Sequence, residues 1–293
     1  MTASKPANRG RPKTRIVDRL RGSFWSHSVL LESGLTEVQE LEAVFGKTPG
    51  LKLASGLWSR YMRGEVLPQG TLLPAARNTL VHRVAKFFPR TSDTFYAPFW
   101  DFLEWDPIVN FDLVKSTYLK LNEDIHVQFV ARIEVDGERV PTANGKFWYL
   151  PKSVEARRRV VAALGDWDSL TVCLLEARMS YAAQNFESFA DSQLLACKTI
   201  ARLQKVQKLQ AKRLQGVLLT MEALCLDALV INVIKPTPLN QTQYQTRERC
   251  RDWMKNWNRR CNAHAESLSS KSRLAFVRTL QVDTLIGRSF DGH

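Results

Sequence analysis

The sequence predicts a mainly α protein, with a helical N-terminal domain, a small β-hairpin insert and a C-terminal antiparallel helical bundle. Three observations predict it. Apolar residues recur at three- and four-residue intervals along most of the chain, the spacing that lines one face of a helix. Strand-like alternation is confined to residues 127–135, which run into the hairpin dipeptide Asp136-Gly137. The composition, 44% hydrophobic and 24% charged over 293 residues, supplies enough apolar chain for two ordinary cores.

Residues 1–14 are polar and basic and carry Pro6 and Pro12, so they are expected as a flexible arm. A first domain is expected over 15–108. It opens with a short helix from Arg15 through Phe24 and Trp25, followed by a helix capped by Thr36, with Val38, Leu41, Val44 and Phe45 on one face and its end at Gly46. A loop containing Pro49, Gly50 and Gly56 leads to a short helix over 57–63, closed by Gly64, with Pro68 marking the next entry. Leu72, Leu73, Ala76, Leu80, Val84 and Phe88 predict another helix, begun or bent at Pro74 and ended by Pro89. The aromatic run Phe95, Tyr96, Phe99, Trp100, Phe102 and Trp105 has few cations among it and reads as the seal of this core. Residues 109–150 are expected as a linker carrying the hairpin. The bundle follows over 151–293, with helices over 154–164, 169–183, 189–214, 217–234 and 241–270.

Forty-two Lys and Arg against 29 Asp and Glu give a net charge of +13, an excess that favours a polyanionic partner. The charge is clustered. Residues 1–22 carry seven basic side chains and one acidic, residues 52–92 carry seven and one, and residues 193–215 carry six and none, whereas 101–138 is acidic. The apolar run 223–234 contains Asp227 and falls short of the roughly 18–20 residues of a spanning helix, so no membrane is expected as partner. The first residues lack an apolar h-region, which points to a cytoplasmic location.

Catalytic signatures are absent: there is no glycine-rich phosphate loop, nucleophile elbow or H-E-x-x-H, so no enzyme and no cofactor is expected. The clustered carboxylates Asp101, Glu104 and Asp106 are of the kind a metal-dependent nuclease uses, but amid Trp100 and Trp105 they read better as the solvent side of a packed segment. Five widely spaced cysteines without a C-x-x-C pair read as free thiols, with Cys173, Cys197 and Cys225 in the core. Cys261 and His264 are the one close Cys–His pair, and no metal site is expected.

Arg9-Gly10-Arg11-Pro12-Lys13 resembles the R-G-R-P core of the AT-hook family. The resemblance implies that Arg9 and Arg11 enter the minor groove of A·T-rich DNA, where potential is strongly negative, with Lys13 a further DNA-binding residue of the motif. The same residues also suit a basic tail that contacts phosphates without preference. Ser55-Gly-Leu-Trp-Ser-Arg-Tyr-Met-Arg-Gly-Glu-Val-Leu-Pro68 resembles the third helix and following turn of Cro/repressor-like helix-turn-helix domains, and residues 35–46 resemble that family's second helix. Together they cover about 35–90. The intervening residues 47–55 are longer than the family's turn. The resemblance implies that Ser55, Ser59, Arg60 and Arg63 face the major groove, with Lys52 beside them. The alternative is structural: Trp58 and Tyr61 pack inward and nothing touches DNA.

Lys198, Arg202, Lys205 and Lys212 fall on one side of a helix, either a track for phosphates or a solvated face. Farther on, Trp253 and Trp257 among the arginines of 247–260 form a packing ridge or a stacking platform, and packing is preferred. The expectation is therefore a DNA-binding protein, duplex DNA favoured, of the kind found as a bacterial transcriptional regulator or an accessory of a mobile-element or defence locus. A homodimer or a protein partner would engage the C-terminal helices. The alternatives are a helical protein-interaction module and an RNA-binding component.

Overall fold

The structure is a computed structural model that describes residues 15–46, 56–68, 79–118, 120–121, 130–132, 134–135, 138–139, 149–151, 167–206, 211–234, 241–270 and 273. It is mainly helical. The N-terminal part contains α1 (Ile16–Glu32), α2 (Val38–Phe45), α3 (Leu57–Met62), α4 (Leu80–Ala85), α5 (Pro89–Phe95), α6 (Trp100–Leu103) and α7 (Phe111–Tyr118). Short antiparallel pairings follow, β1 (Val130–Arg132) with β4 (Tyr149–Pro151) and β2 (Glu134–Val135) with β3 (Glu138–Arg139). The C-terminal part consists of α8 (Trp167–Ala182), α9 (Phe186–Val206), α10 (Ala211–Leu229) with a π turn at Val230–Ile234, and α11 (Gln241–Glu266).

Several element boundaries differ from expectation for local reasons. Helix α1 continues well past Trp25, because Val29 and Leu30 extend its buried face. The cap of α2 is Glu37, not Thr36: the Glu40 carboxylate reaches back and accepts from both the Thr36 and Glu37 N–H groups, each at 2.9 Å. Helix α4 ends at Ala85 with Lys86 as its cap, short of the expected stop at Pro89, and Pro89 instead opens α5 from its first position, where a missing N–H costs nothing. Helix α7 lies where only linker and hairpin were expected. The expected break near residues 215–216 is absent, because Leu214, Val217, Leu218 and Met221 form one uninterrupted buried stripe across Gly216. The predicted helix over 154–164 and the start at Pro74 lie outside the described residues.

Two apolar clusters hold these elements. The smaller gathers Trp25, Val29 and Leu30 of α1 with Leu41, Trp58, Tyr61, Val81, Val84 and Phe95. The larger takes the other half of α1 (Val17, Leu20, Phe24), residues 97–103 and helices α8–α11. Phe24 sits edge-on to Trp167 at 5.0 Å, and Phe99 stacks on the same indole at 5.1 Å. The aromatic run is thus divided, with Phe95 in the smaller cluster and Phe99, Trp100 and Phe102 packed against the C-terminal helices.

A buried guanidinium secures that contact. Arg178 of α8 donates to the carbonyl oxygens of Phe102 (3.4 Å), Glu104 and Asp106, and lies 4.4 Å from the Trp105 ring. Burial lowers its pKa to about 10, yet it stays charged at neutral pH and neutralises the carbonyl end of α6. The span Leu214–Val233 is long and apolar enough to cross a bilayer, longer than the 223–234 run. However, 72% of its most apolar window is buried against other helices, as in a core helix.

Candidate nucleic-acid interface

Helix α3 has only six residues, too short to persist alone, so its position depends on what holds it. Trp58 and Tyr61 recur at three-residue spacing and bury one face. Trp58 stacks on Trp25 with 5.2 Å between centroids and 17° between planes, and Tyr61 meets Trp25 edge-on at 6.1 Å. At the N-terminus the Glu42 carboxylate accepts the Trp58 N–H at 3.2 Å, placing negative charge where the helix dipole favours it.

The C-terminus is closed twice over. Gly64 adopts φ +64°, its N–H donates to Tyr61 O at 2.9 Å, and the Glu65 N–H donates to Arg60 O at 2.9 Å, the paired bonds of a Schellman cap. A Cβ at position 64 would stand 2.7 Å from Arg19 O, so only glycine fits. From α1, the Ser23 hydroxyl donates to Met62 O at 2.7 Å and Arg19 Nε to Gly64 O at 3.3 Å.

With that face fixed, Arg60 and Arg63 are exposed and Ser59 is half-buried. Both arginines meet one carboxylate: Glu65 accepts from Arg63 Nε at 2.6 Å and Nη2 at 3.2 Å, and Arg60 Nε lies 3.6 Å away. The hydrogen bonds raise the Arg63 pKa and hold Glu65 below the ordinary carboxylate range. Two guanidiniums on one carboxylate leave a net positive charge, and exposed pairs of this kind contribute little to stability. Burial raises the Tyr61 pKa against the opposing charges of Arg60 and Arg83, so a guanidinium from α3 and one from α4 both act on this phenol.

Three further exposed cations, not singled out from the sequence, lie on the neighbouring elements of the same cluster. Arg83 on α4, its C-cap residue Lys86, and Arg90 on α5 are exposed and form no ion pair among the described residues. The one signal for them was the scarcity of acids: residues 43–92 hold eight Lys and Arg and only Glu65. The acids just upstream are partly committed, Glu40 to the cap of α2 and Glu42 to α3.

Of the residues proposed from sequence, Ser59, Arg60 and Arg63 lie together on α3. Arg9, Arg11, Lys13, Lys52 and Ser55 lie outside the described residues. Lys198 and Arg202 are exposed on α9, and Lys205 also lies on that helix. Lys212 lies on α10, which packs along α9, so the four-residue stripe is divided between two helices. The correction follows from where the long element ends: α9 stops at Val206, and a new helix starts at Ala211. Helix α3 belongs to the smaller cluster and α9 to the larger.

The arginine-rich α11 is committed to packing. Trp257 is buried and donates to Leu219 O at 3.1 Å. Arg260 forms a two-pronged pair with the fully buried Glu222, one contact at 2.8 Å. All five cysteines are free and buried, and burial pushes the Cys250 and Cys261 thiols up to about 12, which keeps them protonated. Among the described residues no three His, Cys, Asp or Glu side chains gather to hold a metal. No family model, curated protein or solved structure matches this chain.

Proposed function

We propose that this chain is a DNA-binding protein whose N-terminal region works in the manner of a helix-turn-helix domain, with duplex DNA as partner. The observation that carries the reading is α3, a short helix seated by Trp58 and Tyr61 and capped at both ends, with Arg60 and Arg63 outward in a stretch of eight cations and one acid. A seated helix can present side chains to base edges without first losing its own conformational freedom. Arg60 and Arg63 exchange Glu65 for DNA, and Arg83, Lys86 and Arg90 neutralise phosphates beside them. Arg9, Arg11 and Lys13 would reach an adjacent minor groove, and Lys198 and Arg202 with Lys205 and Lys212 form a separate, sequence-independent contact. The C-terminal helices form a bundle that serves as the body of the molecule and the surface for a second copy or a protein partner.

The test is binding of duplex recovered with the purified protein, followed by anisotropy, for wild type and for Arg60→Ala with Arg63→Ala. The expected loss is roughly 1–3 kcal/mol per base contact, without a change in thermal stability. Wild-type protein that shows no affinity for duplex at low salt would overturn the proposal.

A further inference from the structure

Where α4 gives way to α5, the surface carries an aromatic ring that no core requires. Phe87 is 70% exposed, while its neighbours Val84 and Phe95 are buried in the smaller cluster. The ring is not loose. Phe45 of α2 meets it edge-on at 5.9 Å and meets Phe88 at 6.2 Å, and Val44 beside Phe45 is 61% exposed. The N–H of Phe87 donates to Val84 O at 3.0 Å, so the backbone there is still in a helical turn. Arg83 precedes Phe87 by four residues, Lys86 by one, and Arg90 follows by three. At helical spacing Arg83 shares the side of Phe87, and all three cations are exposed with no ion pair among the described residues.

An exposed ring held by a second ring, with three exposed cations within four residues of it in the chain, matches two features of single-stranded nucleic acid: a flat base for the ring face and a phosphate for each cation. Every base has a π-face, and stacking on an aromatic side chain contributes about 1–3 kcal/mol per base. An acidic peptide would use the cations but leave the ring face unsatisfied, and a continuous duplex would bury its own base faces. We infer that Phe87, with Arg83, Lys86 and Arg90, is a base-stacking site for single-stranded DNA, which rests on the nucleic-acid reading of this region and adds unpaired bases to it.

The experiment measures affinity of the full-length protein for an oligothymidylate of about 20 nucleotides, for the same strand in duplex, and for polyglutamate. Phe87→Leu keeps an apolar contact for Phe45 but removes the π-face, and Phe87→Trp enlarges that face. The expected result is about tenfold weaker oligothymidylate binding by Phe87→Leu, restored by Phe87→Trp, with duplex affinity and melting temperature unchanged. Equal oligothymidylate affinity in wild type and Phe87→Leu would overturn the inference and leave the duplex proposal standing. Polyglutamate binding without oligothymidylate binding would overturn it in favour of an acidic protein partner, and binding to neither nucleic acid would remove both proposals together.

Discussion

Helix α11 and the α3–α5 region are both rich in arginine and lysine, and they use them in opposite ways. On α11, Arg249 pairs with Asp191 at 3.0 Å, Arg251 with Glu248, Lys255 with Asp252 at 3.1 Å, and Arg260 with Glu222. Arg247 donates to Val233 O at 3.3 Å and Arg259 to Asn256 at 3.3 Å. On α4 and α5, Arg83, Lys86 and Arg90 have no such partner among the described residues, and on α3 two arginines share one carboxylate. A count of positive charge along a sequence is therefore not a footprint. What matters is whether an acid stands one helical turn away or across a helix contact, as on α11, or is nearly missing from a long stretch of chain, as in 43–92.

The largest way to break the comparison is at the seat of α3. Trp58→Ala removes a buried indole that stacks on Trp25 and should cost about 4 kcal/mol in denaturant unfolding. Duplex affinity should fall with it, because the indole is the main support of α3 on that face. Full affinity in a destabilised variant would separate α3 from binding.

Next is Arg260→Met on α11, expected to cost about 3 kcal/mol at neutral pH, because the Glu222 carboxylate would remain buried with the guanidinium removed. Burial raises the Glu222 pKa and Arg260 opposes the rise. A carboxyl whose folded pKa lies above its unfolded value binds more protons when folded, so stability falls as pH climbs from the unfolded value through the folded one. The deficit of Arg260→Met should therefore be greatest near neutrality and shrink toward about pH 4.5, and Glu222→Gln in the same chain should flatten the profile. A pH-independent deficit would trace the loss to packing. DNA affinity should be unchanged, which distinguishes α11 from α3.

Gly64→Ala places a Cβ at positive φ and against Arg19 O, and should cost about 2 kcal/mol while loosening the C-terminal cap of α3. The smallest effect sharpens the contrast from the other side. Lys255→Ala removes an exposed cation already paired within its own helix, and should change stability by less than about 0.5 kcal/mol and DNA affinity not at all.

Helices α2 and α3 and the Gly64 stop were legible in the sequence because their determinants are local: apolar residues at three- and four-residue spacing, and a glycine where the chain turns left-handed. The same spacing located the helical second half. It misplaced the α9–α10 boundary, because Gly216 looks like a break but lies within a continuous buried stripe. Pro89 reads as a stop from sequence, although the first turn of a helix accepts proline equally well. The candidate surface was half legible. Arg60 and Arg63 stand beside a recognisable turn, while Arg83, Lys86 and Arg90 stand beside no motif. The commitments of the remaining cations are tertiary: Arg249 meets an acid 58 residues away, Arg260 one 38 away, and Arg178 carbonyls more than 70 away. Local spacing carries no record of such partners.

The central claim is that Arg83, Lys86 and Arg90, which have no ion-pair partner among the described residues, and not the paired cations of α11, meet phosphate. The direct measurement is the slope of log affinity for duplex DNA against log salt concentration. It should be made for wild type, for Arg83→Gln with Lys86→Gln and Arg90→Gln, and for Arg249→Gln with Arg251→Gln and Lys255→Gln. The account predicts a slope shallower by about 0.9 for each phosphate that the first set no longer neutralises, and the wild-type slope in the second. Equal slopes in all three proteins, or a shallower slope only in the α11 set, would contradict it.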